Sequence, residues 1–366
     1  PVALTDNAVL FNTDGFTGDG DIIINGTITG AATALTITPA AGEVEITGQT
    51  TLASLLIPTA TNVSLANVST TAGQDVTATG GITLTGTTYQ NTLAGAGIVY
   101  TGDVTLAAGA ATTIQTTGTN ADDDITIEGS VNGAVDLTMD TGAAGAILVE
   151  GDMGAVTPLA SLTVTNAAVA TFGTGVGGGS VYTSGGQDYT ATSIVLFGGV
   201  YESNNTAAGS IAFNGPVTLQ NPVGATLVRT GGLAGDDITF ASTISTAAIL
   251  NRSLTLDAGA GGNVTVAGAV GGAAAAQRLG GFTVLAAAQA DVNNIYTTGN
   301  ISVAAGNIDL NGTVYNSSAG SIIMDGPVDL SSGAGTTITM TSGGLAGQGI
   351  QLRDDVDAVT TEALAL

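Results

Sequence analysis

The side chains able to do chemistry in this sequence are almost all aspartates. They gather in short clusters: Asp19 with Asp21, the run Asp122-Asp123-Asp124, the pair Asp236-Asp237, and Asp354-Asp355 with Asp357. Carboxylates crowded together suit a hard cation, and calcium takes about six to eight oxygen ligands; only the last cluster has a basic neighbour, Arg353. All of these aspartates are therefore candidate calcium ligands. The plainer alternative is a set of solvated turn residues, because Asp starts turns well. The Gly-Gly-x-Gly-x-Asp calcium repeat does not occur in the chain. Paired carboxylates can also run glycoside hydrolysis, inverting or retaining.

The rest of the composition narrows the chemistry. Against 29 acidic residues stand only 4 Arg (Arg229, Arg252, Arg278 and Arg353), and the formal net charge is −25. Lys, His, Cys and Trp are absent. No imidazole or thiol is available as base, nucleophile or soft-metal ligand. No lysine can form a Schiff base or a Walker-type phosphate site. Nucleic-acid binding is not expected, since that affinity rests on Lys and Arg neutralising phosphates. No run of roughly 18 apolar residues exists to span a membrane as a helix. The expectation is a protein that is not an enzyme and carries no resident cofactor apart from candidate calcium.

The elements that must position the aspartates are short strands. Apolar residues alternate with Thr or Glu in Leu35-Thr36-Ile37, Val44-Glu45-Ile46, Ile82-Thr83-Leu84, Val104-Thr105-Leu106, Ile125-Thr126-Ile127 and Val264-Thr265-Val266. A period of two places the apolar pair on one face of a strand and the Thr on the other. Ile22-Ile23-Ile24 is instead a continuous apolar run, which predicts cover on both faces. Asn25-Gly26, Gly102-Asp103, Asn214-Gly215 and Asn311-Gly312 supply corners. Only Ala273 to Leu279 and Thr360 to Leu366 offer any helical alternative.

A longer repeat is also present. The segment leading into Ile22 returns before Ile125, Ile238 and Ile350, as in Thr230-Gly231-Gly232-Leu233-Ala234-Gly235-Asp236-Asp237-Ile238 and Thr341-Ser342-Gly343-Gly344-Leu345-Ala346-Gly347-Gln348-Gly349-Ile350. The large repeats run approximately 22–124, 125–237 and 238–349, with the start of a fourth over 350–366. The first three acidic clusters fall at one point of this repeat. A unit of this length made only of short strands is too long for one solenoid coil and predicts about five coils of roughly 20 residues each. The expected fold is all-β, a right-handed parallel β-helix running through 1–366 as one β-solenoid of roughly 16 or 17 coils. Inward Val, Ile and Leu then fill a long thin core, and Thr covers the outside.

Segments such as Asp237-Ile238-Thr239-Phe240, Ser253-Leu254-Thr255-Leu256-Asp257-Ala258-Gly259, Gly262 to Gly272 and Thr157-Pro158-Leu159-Ala160-Ser161-Leu162-Thr163-Val164 resemble the repeats of large bacterial exoproteins. These are the filamentous-haemagglutinin-like and autotransporter-passenger families, and the resemblance covers nearly the whole chain. It implies a parallel β-helix, an extracellular or bacterial cell-surface location, and a role as adhesin, stalk or biofilm-matrix fibre. The secretion domain and membrane barrel of those families are not in the sequence, which implies a piece of a longer passenger or a subunit exported otherwise. Neither end reads as a polar cap, so the expected partners are other copies stacked head to tail. Surface glycans are the second expected partner, in a polysaccharide-binding or polysaccharide-cleaving passenger. Tyr182, Tyr189 and Tyr201 lie close enough in sequence to stack sugars, although tyrosines in such strands are more often ordinary core or rim residues. Asn12-Thr13-Asp14 with the Asp pairs superficially resembles the polygalacturonase pattern, but the His and Lys of that pattern are missing. Outward Thr pairs such as Thr36 and Thr38 resemble an ice-binding face without its strict repetition.

Overall fold

Short strands with two inward apolar residues cannot bury them alone, so each must lie on another strand of the same kind. In the computed structural model every assigned strand pairing is parallel, and each joins one coil to the next. The chain is a parallel β-solenoid. The structure describes residues 1–13, 20–39, 41–117, 120–175, 177–204, 209–222, 224–247, 250–358 and 361–366. They form two compact units. Unit 1 is 1–174 with 178–180 and 190–192, and unit 2 is 175–177, 181–189 and 193–366.

Unit 1 has three faces. The first is built from Val2–Ala3, the first halves of Ile28–Thr38 and Thr50–Ile57, then Val68–Thr70, Thr88–Asn91, Thr112–Thr116, Asp136–Asp140 and Ser161–Asn166. The second holds Ala8–Asn12, the second halves of the same two long strands, Gln74–Thr77, Ile98–Thr101, Ile125–Ile127, Ala146–Val149 and Val169–Phe172. The third holds Ile22–Ile24, Val44–Ile46, Asn62–Leu65, Gly81–Leu84, Val104–Leu106 and Val131–Asn132, and ends on a bridge at Met153. One register column on the first face reads Val2, Ile28, Thr50, Val68, Tyr89, Ile114, Met139, Val164, which is seven coil-to-coil steps.

Unit 2 repeats the plan. Its first face runs from Val181–Thr183 through Val200–Ser203, Ala225–Arg229, Ser253–Asp257, Phe282–Ala286, Ile301–Ala304 and Ile322–Asp325 to Ile350–Leu352. Its second runs from Gln187–Tyr189 through Ile211–Phe213, Ile238–Phe240, Asn263–Val266, Gln289–Val292, Asn307–Leu310 and Val328–Leu330 to Val356–Ala358. Its third runs from Ser193–Leu196 through Val217–Leu219, Ile244–Thr246, a bridge at Val270, Ile295–Thr297, Val314–Ser317 and Thr337–Thr341 to Ala363–Ala365. The column Tyr189, Phe213, Phe240, Val266, Val292, Leu310, Leu330, Ala358 again makes seven steps.

The coils run from 18 residues (Val292 to Leu310) to 28 (Leu330 to Ala358), so most are longer than the expected 20 and there are fewer of them. In unit 1, Ile22 lies on the third face, but Ile125 lies on the second, fourteen strand positions later. In unit 2, Ile238 lies on the second face and Ile350 on the first, again fourteen positions apart, counting the Val270 bridge. Fourteen positions on a three-faced solenoid are four full coils and two further faces. The large repeat is therefore close to five coils but not a whole number of them. Within each unit, the second copy lands on a different face from the first.

Inside, the alternation is as the sequence implies: Val44, Ile46, Ile82, Leu84, Ile125 and Ile127 are buried, with Glu45, Thr83 and Thr126 outward. Ile23 departs from expectation. It points outward and is 57% exposed, because the alternation holds even within an apolar run. Tyr189, Phe213 and Phe240 stack ring on ring, with centroids 4.8 and 4.6 Å apart, at the spacing of neighbouring parallel strands. Tyr189 and Tyr201 are both fully buried, so they take the core alternative and not the sugar-stacking one. Of the two helical alternatives, Ala275–Gln277 forms a single 3-10 turn, and Ala363–Ala365 is a strand paired with Thr337 to Thr339. Among the described residues no helix is long and apolar enough to cross a membrane.

Truncating the central ring of the stack, Phe213→Ala, is expected to cost about 3–5 kcal/mol through a cavity open to both neighbouring coils. The outward neighbour substitution Ala212→Ser should stay within about 0.5 kcal/mol. Urea unfolding followed by far-UV circular dichroism checks both.

Candidate functional site

The acidic clusters are built at corners, and their local geometry explains why Asp is used there. Asp21 precedes the strand Ile22–Ile24, and its Oδ1 accepts the Glu43 amide of the next coil at 2.9 Å. The same bond runs from Ala146 N to Asp124 (2.6 Å) and from Asn263 N to Asp237 (2.8 Å). Outside the clusters, Asp103 accepts Ser130 N at 2.8 Å and Asp152 accepts Ser180 N at 2.9 Å. In each case the aspartate stands one residue before a strand or bridge residue and takes the amide that faces it across the register. The side chain extends the ladder by one rung where the backbone is turning away.

The residue before it works in the other direction. Asp123 is fully buried. Its Oδ1 accepts Gly95 N (2.6 Å) and Ala96 N (3.3 Å) from the preceding coil, and its Oδ2 accepts Asn120 N of its own turn (3.0 Å). Asp236, also fully buried, accepts Gly209 N (2.7 Å) and Leu233 N (2.8 Å). In the fourth copy Gln348 takes this place. Its Oε1 accepts Leu345 N, and its Nε2 donates to Ala319 O of the preceding coil. An adjacent Asp-Asp pair thus pins three successive coils. Buried carboxylates are tolerable here because charge-assisted bonds from amides replace the lost water.

Asp122 is exposed, Asp354 accepts only the Asp355 amide, and Asp357 points outward on the second face of unit 2. Asp19 lies outside the described residues. The clusters also stand at different corners. Asp21 sits between the second and third faces of unit 1, and Asp123-Asp124 between its first and second. Among the described residues no three acidic side chains converge on a metal position.

The structure assembles a different group that the sequence reading missed. Asp291, Asp309, Asp329 and Asp357 lie in one register line on the second face of unit 2. The signal in the sequence was an Asp between two apolar residues (Ala290-Asp291-Val292, Ile308-Asp309-Leu310, Val328-Asp329-Leu330), where most strands carry Thr. Gln289 Nε2 donates to Asp291 (2.8 Å) and Asp309 (2.9 Å), and Asn307 Nδ2 donates to Asp309 (2.9 Å) and Asp329 (3.0 Å). Partial burial, a hydrogen bond with the Asp291 carboxyl, and the charges of Asp291 and Asp329 push Asp309 up to about 6.

A groove of about 580 Å³ lies on the third face of unit 2. Thr243, Ser245 and Thr246 form one side, and Gly271, Gly272 and Gln277 of the loop carrying the 3-10 turn form the other. Arg278 fastens that loop. Its guanidinium donates to Thr297 O (3.0 Å) and Asn316 Oδ1 (2.6 Å) and lies over the Tyr296 ring, 5.9 Å from the centroid. Hydroxyls, an amide and exposed backbone are groups that hydrogen-bond to uncharged sugars. Two of the other arginines are paired outside, Arg229 with Glu202 (2.7 Å) and Arg353 with Asp325 (3.1 Å).

The corner geometry separates clasp from calcium site. Asp123→Asn replaces one acceptor oxygen with a donor facing an amide N–H. It should destabilise the chain by about 2 kcal/mol despite matching in size. Asp122→Asn, on the exposed neighbour, should change stability by less than about 0.5 kcal/mol. Urea midpoints measured with calcium and with chelator check the pair, and the clasp predicts the same loss in both.

No protein-family model, curated protein or solved structure matches this chain.

Proposed function

We propose that this chain is a non-enzymatic structural protein, a subunit or segment of a bacterial cell-surface fibre or adhesin. The observation that supports this best is the unbroken coil-to-coil bonding within each unit. Seven register steps follow one another, and aspartate and asparagine side chains add rungs at the corners. Asn67, for example, accepts Thr87 N and Thr88 N of the next coil, and Asn294 accepts Thr313 N and Val314 N. A pull along such a stack loads many hydrogen bonds at once. The surface offers trypsin-like proteases only 4 Arg. The resemblance of the repeats to filamentous-haemagglutinin-like exoproteins agrees with this reading.

Assembly is proposed to be head to tail. Among the described residues the strand Ala8–Asn12 is paired on one side only, with the coil that follows, and Ala363–Ala365 only with the coil before. A further coil, of the same chain or of another copy, would continue either edge. Heterologous stacking of this kind does not close on itself and gives filaments. Negative-stain electron microscopy over a concentration series should show filaments longer than one chain. Dispersed single particles at every concentration would overturn head-to-tail assembly. Native chain should also resist trypsin under conditions that cut the urea-unfolded chain at its arginines.

The groove beside the 3-10 turn favours one second reading, a passenger that binds polysaccharide. Its neutral hydroxyl and amide lining suits uncharged sugars better than uronates, which a surface of net charge −25 would repel. A glycan array should then show neutral glycans retained by the native chain. Ser245→Trp, which fills the groove from its strand side, should lose them without a change in circular dichroism.

A further inference from the structure

Parallel register brings identical charges together unless the sequence alternates them. On the second face of unit 2 it does not. Asp309 is flanked by Asp291 in the coil before and by Asp329 in the coil after, with Asp357 one coil further on. Neighbouring strands are about 4.8 Å apart, so unscreened like charges at this spacing repel. The position before Asp291 in the column is Thr265, which is uncharged. The remaining groups on this part of the face are the amides of Gln289 and Asn307.

Those amides are already committed. Each –NH₂ has two hydrogens. Gln289 spends its pair on Asp291 and Asp309, and Asn307 spends its pair on Asp309 and Asp329. Asp309 receives one N–H on each oxygen. The remaining contact, carboxyl to carboxyl between Asp291 and Asp309, is a hydrogen bond only when one of the two is protonated.

We propose that Asp291, Asp309 and Asp329 form a proton-holding ladder that fastens the last coils of unit 2 in mild acid and loosens them at neutral pH. The sign follows from linkage. A carboxyl that holds its proton more tightly in the folded chain than in the unfolded one adds stability as pH falls through its folded value. Here that value is about 6 against an ordinary 3.8, so the gain appears between about pH 7 and pH 4. The three aspartates lie on successive strands of one face, so the effect is local to these coils.

The test uses the full chain. Hydrogen exchange of the strands Asn307–Leu310 and Val328–Leu330, corrected for intrinsic rates, is compared at pH 5 and pH 7.5. Protection in the native sequence should be roughly tenfold or more greater at pH 5. Asp309→Asn removes the titrating carboxyl, and its amide nitrogen meets one of the two N–H donors that Asp309 accepts. Whatever its absolute level, its protection should be the same at pH 5 and pH 7.5. Asp325→Asn, exposed on the first face of the same coils, should keep the native dependence. Loss of the dependence in both variants, or in neither, overturns the proposal. Carbon-13 titration of Asp309 in the unsubstituted chain gives an answer independent of either variant. A midpoint near 6 supports the ladder, and one below about 4.5 overturns it.

Discussion

A coil of a parallel solenoid cannot satisfy its own backbone. Its strands are a few residues long and face away from one another across the core, so every ladder bond leaves for the coil before or the coil after. This dependence on the neighbour governs the rest of the molecule. Strand interiors are simple, because an apolar-polar-apolar triplet such as Val104-Thr105-Leu106 suits both the pleat and the core. Corners are harder, since there the backbone turns and its amides lose their register partners. Glycine solves some corners by conformation. Gly102 and Gly326 have φ of +131° and +142°, and a Cβ at either would stand within 2.3 Å of a carbonyl oxygen of the preceding coil. Aspartate and asparagine solve others by chemistry, reaching to an amide one coil away.

The strands and their alternation were legible because both depend on neighbouring residues only. So was the large repeat. The face on which each copy lands was not legible. It depends on counting strand positions, and corner lengths vary enough to hide that count: one coil takes 18 residues and another 28. A repeat of four coils and two faces looks like a whole number of coils when read from its length alone. Its consequence is physical. Within a unit, corner chemistry that recurs once per repeat is moved to a new corner, and the carboxylates of the two copies are kept apart. Ile23 and the segment 361–366 show the same limit on a smaller scale. Local composition suggested double cover and a helix, but pairing with a neighbouring coil made both into ordinary strand positions.

The candidate site was legible in part. Clusters such as Asp122-Asp123-Asp124 are conspicuous in one dimension, yet adjacent residues diverge in space, one toward the preceding coil and the next toward the following one. The aspartates that do meet are 18 and 20 residues apart, and nothing local marks them beyond an Asp in the place of a Thr. Proximity in a solenoid is set by coil length, so residues spaced by one coil are the true neighbours.

The same side chain therefore has opposite effects at two positions. At the residue before a strand, an aspartate faces an amide N–H that has no other partner. Its charge strengthens the bond, and the negative charge is part of what holds coil to coil. In the middle of a strand, every backbone amide is already used by the ladder. An outward aspartate there finds only the side chains above and below it. Where these are also aspartates, with two amides to share among them, the stack holds best when a proton replaces one charge. Asp21, Asp103, Asp124, Asp152 and Asp237 take the first position, and there charge and register agree. Asp291, Asp309 and Asp329 take the second in successive coils, and they mark the part of the face where charge and register conflict.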